Sequence, residues 1–270
     1  MAYPNDSNTV LLLHCDGSDA HTTFTDNSVG GNGGETHTVT ANGNAQGDTT
    51  QYKFGSASAL FDGTGDYLSA EDHADWNFGG NPFTIDFWVR FNALPTAGNI
   101  MCLVSQYADS SNYWVMQLRN ITGQYYLGFA HVASGSSVMS YNKLWTTPAV
   151  DTWYHGALIR GWGSDDNVFA FTIDGILVDS TFTDSDSISD ISGALEIGAY
   201  AAGTSNAFNG WMDEIRICKG TARWTANFDT YSIPYPNSET WMGTINAVKN
   251  PTKVYGITTW SEVNSVASLE

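Results

Sequence analysis

The chain has 270 residues, with 13% aromatic and only 14% charged side chains, a balance opposite to that of disordered chains, so a folded protein with one large domain is expected. Its formal charge is −18 and it has only 10 Lys and Arg residues. Nucleic acid and anionic membrane surfaces, which are bound through clustered cations, are therefore excluded as partners.

In chain order, "MAYPNDSNTVLLLHCDG" opens with no basic segment, and its apolar run is only Val10 to Leu13, so neither a signal peptide nor a membrane span is expected. "FTIDFWVRF" at 83–91 alternates Phe83, Ile85, Phe87, Val89 and Phe91 with polar or large partners, the period of a strand with one apolar face. "YWVMQL" (113–118) and "YYLGFA" (125–130) flank a hairpin loop, and "WYHGALIR" (153–160) is a further strand. "NVFAFTIDGILVDS" (167–180) predicts a hairpin turning at Asp174-Gly175. "ALEIGA" (194–199) and "WMDEIRIC" (211–218) complete the late strands, and a short turn near 221–228 is the one helix candidate. Short strands punctuated by Gly and Asp predict an all-β sandwich of two antiparallel sheets, with roughly twelve to fourteen strands. "SIPYPNSET" (232–240) marks a boundary. The reading is a sandwich over 1–231, then a linker and docking tail over 232–270, too poor in apolar residues for its own core. The three cysteines, Cys15, Cys102 and Cys218, are no disulfide framework; a Cys15–Cys218 bridge stays open, and buried thiols are favoured.

Six motifs occur in order: "LLLHCDG", "FGSASALFDGTGDYLSA", "FTIDFWVRF", "WYHGALIR", "FTIDGILV" and "FNGWMDEIRICKGTARWTANF". Together, over residues 9–230, they resemble the laminin-G-like branch of the concanavalin A-like lectin/glucanase superfamily, which implies a jelly-roll sandwich. The wording of "LLLHCDG" and "KGTARWTANF" is similar to domains of phage virion proteins. That resemblance implies a location on the virion surface, reached by lysis without a signal peptide. It also implies a tail-fibre or capsid-decoration role and a homo-oligomer, with a trimer favoured. Residues 241–270 are then expected to dock on other virion subunits. The fold alone names no activity.

The residues offer three kinds of site. Asp213 and Glu214 are adjacent, and neighbouring strand residues point to opposite faces, so they are not expected to form a glycosidase pair. The Glu-x-Asp-x-Glu strand of related glucanases and the Gln-x-His strand of related alginate lyases are missing. Asp86, Glu196 and Glu214 are expected to pair with Arg90, Arg160 and Arg216 across strands. A non-enzyme is therefore expected, with a glycan hydrolase or lyase as the alternative. In related sandwiches a structural calcium ion sits where the first and last strands meet; the matching positions are Asp16 or Gly17, Asp62 or Gly63, and Asp213. The loop 183–193 reads as solvated. The six histidines are scattered, with no zinc spacing; His14 and His155 read as satisfied interior residues. Binding of a host polysaccharide would use aromatic faces with polar neighbours. Its candidates are Trp76, Trp88, Tyr107, Tyr113, Trp145, Trp162 and Tyr200.

Overall fold

The computed structural model describes residues 5–30, 36–203 and 206–237. Among these, no helix is long and apolar enough to cross a membrane. The first strands are β1 (Thr9–Leu13), β2 (Thr23–Thr25), β3 (Thr38–Asn42), β4 (Gln46–Asp48), β5 (Ser58–Asp62) and β6 (Tyr67–Ala70). The central run is β7 (Phe83–Phe91), β8 (Ile100–Asp109), β9 (Asn112–Ile121), β10 (Gln124–Ala133), β11 (Ser136–Leu144) and β12 (Trp153–Arg160). The last are β13 (Val168–Ile173), β14 (Ile176–Leu177), β15 (Phe182–Thr183), β16 (Leu195–Ile197) and β17 (Asn209–Lys219). The count exceeds expectation because β4, β14, β15 and β16 are two or three residues long, too short to show a period.

Two antiparallel sheets stack. One is ordered β14-β13-β12-β7-β17-β5-β4, with β1 also on β17 and β15 on β13; the other runs β11-β10-β9-β8-β16-β6-β3-β2. Alternation decides which side chains fill the space between them. Phe83, Ile85, Phe87, Val89 and Phe91 of β7 enter the core and meet Trp114, Met116, Leu118, Leu127 and Phe129 from β9 and β10. Thr84, Asp86, Trp88 and Arg90 are left on the outer face of the nine-stranded sheet.

That outer face is covered. Residues 221–237 form no helix; they cross the sheet and bury Trp224, Tyr231 and Tyr235 with Leu12, Ala157, Ile159 and Ala170. Tyr235 is only 4% exposed, so sandwich packing runs past the expected boundary at 231, through the start of the expected linker. Residues 241–270 lie outside the described residues.

The predicted hairpin turn is present: Asp174 and Gly175 have φ of 50° and 77°, the left-handed pair of a type I′ turn. Gly175 also receives the covering segment. Phe228 N–H donates to its carbonyl at 3.0 Å, and a Cβ at Gly175 would meet Phe228 O at 1.9 Å. Gly175→Ala should therefore destabilise the protein by more than about 1 kcal/mol, read as a drop in melting temperature of at least about 2–4 °C. An unchanged melting temperature would contradict the tight approach.

The three cysteines are buried free thiols. Register explains it: Cys218 lies opposite Thr9 at the start of β1, whereas Cys15 follows the far end of that strand.

Candidate functional site

The outer face of the eight-stranded sheet carries a groove of about 350 Å³ whose lining includes Tyr113, Val115, Gln117, Arg119, Ser140 and Tyr200. Period two produces it. Trp114, Met116 and Leu118 of β9 point into the core, so Tyr113, Val115, Gln117 and Arg119 point out. Opposite them on β10, Gly128 faces Gln117 and Ala130 faces Val115, and these small residues leave the depression.

At one end, Tyr107 lies across from Tyr113 in the β8–β9 ladder. Tyr200, from the loop after β16, closes the cluster with ring centroids 4.7 Å from Tyr107 and 5.2 Å from Tyr113. All three are half-buried, each with surface left to solvent. Burial, together with the neighbouring Tyr113 and Tyr107 phenols, pushes the Tyr200 hydroxyl well above its ordinary value, so it stays a neutral donor and acceptor. Along the floor, Gln117 Oε1 and Arg119 Nε are buried without a hydrogen-bond partner among the described residues, while Arg119 also donates to Asn142 Oδ1 at 3.3 Å. Phenol rings set edge-to-face, beside amide and guanidinium groups, suit a ligand with C–H surfaces and hydroxyls.

Three of the seven aromatic candidates thus converge, and four do not. Trp76 is fully buried and spends its indole N–H on Glu71 O at 2.9 Å. Trp88 is 4% exposed, packed edge-on against Phe54 and His155 with Lys53 Nζ 3.9 Å above its ring. Trp145 packs against Phe91 and Tyr154 in the core. Trp162 is buried in the layer under residues 221–237. None of the four offers a free ring face: Trp88 is covered by Lys53 and Phe54, and Trp76, Trp145 and Trp162 lie outside the strands, where no alternation tells inside from outside.

The opening of β17 departs most from expectation. A β-bulge interrupts its register between Asp213 and Arg216, with Glu214 at φ 50°. The extra residue cancels the alternation, so Asp213 and Glu214 both lie on the outer face rather than on opposite faces. They do not open into a groove. Glu214 Oε1 pairs with His14 Nδ1 at 2.7 Å, and Glu214 Oε2 accepts Tyr235 N–H at 2.7 Å. Asp213 Oδ2 accepts the N–H groups of Lys53 at 2.7 Å and Phe54 at 3.0 Å. Burial pushes the Asp213 carboxyl up to about 8 against those N–H bonds, with the Glu214 charge adding to the rise. Burial pulls His14 down, but its bond to Glu214 and the charge there outweigh it and hold His14 above its ordinary value.

Asp86 and Arg216 pair as expected. Arg216 Nε donates to Asp86 Oδ1 at 3.0 Å, and a second guanidinium N–H donates to Oδ2 at 3.2 Å. His155 and the Tyr235 hydroxyl also meet Asp86 Oδ2. Arg90 instead pairs with Asp151. Arg160 clamps the carbonyls of Gly79, Asp166 and Asp186, which ties down the loop 183–193 that was read as solvated. Glu196 lies on the other sheet, where burial raises its pKa against the Ala202 N–H that it accepts.

The three calcium candidates do not surround one point. Asp62 pairs with Asn209 across β5–β17, four residues from Asp213 and so about 13 Å away along the strand. Asp16 Oδ1 accepts Ser56 N–H at 2.5 Å. Asp213 alone keeps a buried oxygen, Oδ1, without a hydrogen-bond partner among the described residues.

A model of the concanavalin A-like lectin/glucanases superfamily matches residues 62–225. No curated protein sequence matches the chain significantly. Among solved structures, the chain is similar to domain 4 of AbnA, a GH43 extracellular arabinanase from Geobacillus stearothermophilus, solved in complex with arabinotriose. The TM-score is 0.57 at 17% identity, over 80% of this chain and 94% of that one. It is also similar to the binding domain of botulinum neurotoxin DC in complex with SialylT (TM-score 0.55, 15% identity, 83% of this chain and 49% of that one). The binding domain of Paraclostridial Mosquitocidal Protein 1 gives a TM-score of 0.55 at 14% identity, over 82% and 50%. The chain spans about half the length of these two toxin domains. At such identities the likeness is one of fold.

Proposed function

This chain belongs to the concanavalin A-like lectin/glucanase superfamily, and we propose that it is a non-catalytic glycan-binding module of a virion surface, in a tail fibre or capsid decoration. The observation that carries the glycan reading is the convergence of Tyr107, Tyr113 and Tyr200 at the end of a groove floored by Gln117 and Arg119. Arabinotriose on the AbnA domain and SialylT on the neurotoxin domain support a saccharide as the ligand class. Among the described residues, the groove lining contains no carboxylate. Glycoside hydrolysis needs two of them at about 5–10 Å, so the groove's chemistry favours holding a sugar over cleaving it.

The test is a glycan array with the full chain, followed by titration of the best hit. Tyr113→Ala and Tyr200→Ala should each weaken binding roughly tenfold, about 1.4 kcal/mol, with little change in melting temperature because both rings are partly exposed. Absence of any glycan hit would sink the reading, and release of shortened product from the bound glycan would replace it with the hydrolase or lyase alternative. The virion reading rests on the motif resemblance and is tested separately. Labelled antibody should decorate particles, light scattering should give a trimer mass, and truncation after residue 237 should abolish incorporation if the 241–270 segment docks on other virion subunits.

A further inference from the structure

We propose that His37, His73 and Asp75 form a binding site for a divalent first-row transition ion of the Zn2+ class. Sequence spacing hides it, because 36 residues separate the two histidines; the pairing of β3 with β6 brings together the segments that precede and follow them. His37 Nε2 lies 3.0 Å from Asp75 Oδ2 and His73 Nδ1 lies 3.1 Å from the same oxygen. All three ligand atoms fall within 4.8 Å of one another. Ligands held about 2.0–2.1 Å from a tetrahedral Zn2+ are about 3.3 Å apart, so two of the three edges are already near that length. The third closes by rotation of His73, whose side chain is 29% exposed.

Without a cation the cluster is joined by the bond between His37 Nε2 and Asp75 Oδ2 at 3.0 Å and by Asp75 N–H donating to His73 Nδ1 at 3.2 Å. A cation would replace the proton between His37 and Asp75 and the Asp75 N–H at His73, taking both imidazole lone pairs and the carboxylate oxygen together. The ligands are also held from behind. Asp26 Oδ2 accepts His37 N–H at 2.8 Å, and the Trp76 ring lies under His37 with centroids 4.5 Å apart, the kind of outer support that orients metal ligands. Two imidazoles select a transition ion over Ca2+ or Mg2+, which take oxygen. Glu71 and Asp72 line the adjoining depression with His37 and His73; they supply negative potential and leave a fourth position facing solvent. This depression is beside β3, and the tyrosine groove is across the sheet on β9 and β10.

The test uses the full chain, stripped with EDTA and dialysed. Titration with Zn2+ alone by calorimetry should show one site, and Co2+ should give the visible absorption of a tetrahedral nitrogen–oxygen set. His73→Ala and His37→Ala should each weaken Zn2+ binding at least tenfold, while His21→Ala, outside the cluster, should not. If His37→Ala fails to fold, the Co2+ spectrum and His73→Ala decide between them. No Zn2+ uptake, uptake unaffected by both substitutions, or equal competition by Ca2+ would overturn the proposal.

Discussion

Arg216→Ala is expected to lower the unfolding free energy by about 3–5 kcal/mol, the usual consequence of removing one member of a buried ion pair. Arg216 and Asp86 are 1% and 0% exposed, and they are joined by two hydrogen bonds. Burial pushes the Asp86 carboxyl up, but the Arg216 charge and the His155 bond outweigh it and hold it low. Without Arg216, the carboxylate would stay buried with only a phenol and an imidazole beside it. The guanidinium also lies 4.0 Å from the Tyr235 ring centroid and 5.5 Å from that of Trp224, so its loss should loosen residues 221–237 as well. Since domains are stable by about 5–15 kcal/mol, urea unfolding should show a large shift in midpoint. Arg216→Met combined with Asp86→Leu should recover part of the loss, because no uncompensated charge is then buried. A loss below about 1 kcal/mol for Arg216→Ala would mean that the pair is not the centre of this layer.

That layer also marks what was legible in the sequence. The alternation in 83–91 and the Asp-Gly turn at 174–175 predicted strand, face and hairpin correctly, since both depend on residues adjacent in the chain. The same alternation failed at Asp213-Glu214. A bulge is one unpaired residue with left-handed backbone, and Glu214 gives no Gly or Asn signal for it. Trp88 and Trp162 need information of another kind. Trp88 looks outward from strand period alone, and that period does not announce Phe54 and Lys53, which cover it. Trp162 lies in a short turn after β12, where alternation says nothing, and only the path of residues 221–237 shows that it is covered. Tyr107, Tyr113 and Tyr200 were named separately, but nothing local said that an 87-residue separation would close to 5.2 Å between the rings of Tyr113 and Tyr200. His37 and His73 were passed over because ligand spacing along the chain was the criterion, and their site is made by strand pairing.

Asp213 carries the second large effect, and its sign is opposite to that of most carboxylates. A free Asp titrates near 3.8, whereas burial sets Asp213 at about 8. Between those values the native state holds a proton that the unfolded chain has released, so stability falls as pH rises from about 4 to 8 and flattens above. Four units correspond to at most about 6 kcal/mol; relaxation and water entry should leave about 1–3 kcal/mol, the usual penalty for a buried polar group left unpaired. Asp213→Asn keeps the shape and removes the titration. It should match the parent near pH 4–5 and exceed it by about 1–3 kcal/mol at pH 8.5 in urea unfolding. Parallel pH profiles for the two proteins would show that Asp213 is already ionised and compensated. The calcium ion proposed at this end of β17 can be tested on the same atom, because a cation on Asp213 Oδ1 would take the place of the proton. At pH 8.5, Ca2+ should then raise the melting temperature of the parent by several degrees and leave Asp213→Asn unmoved. If chelation moves neither protein, the raised carboxyl is a proton site and not a metal ligand.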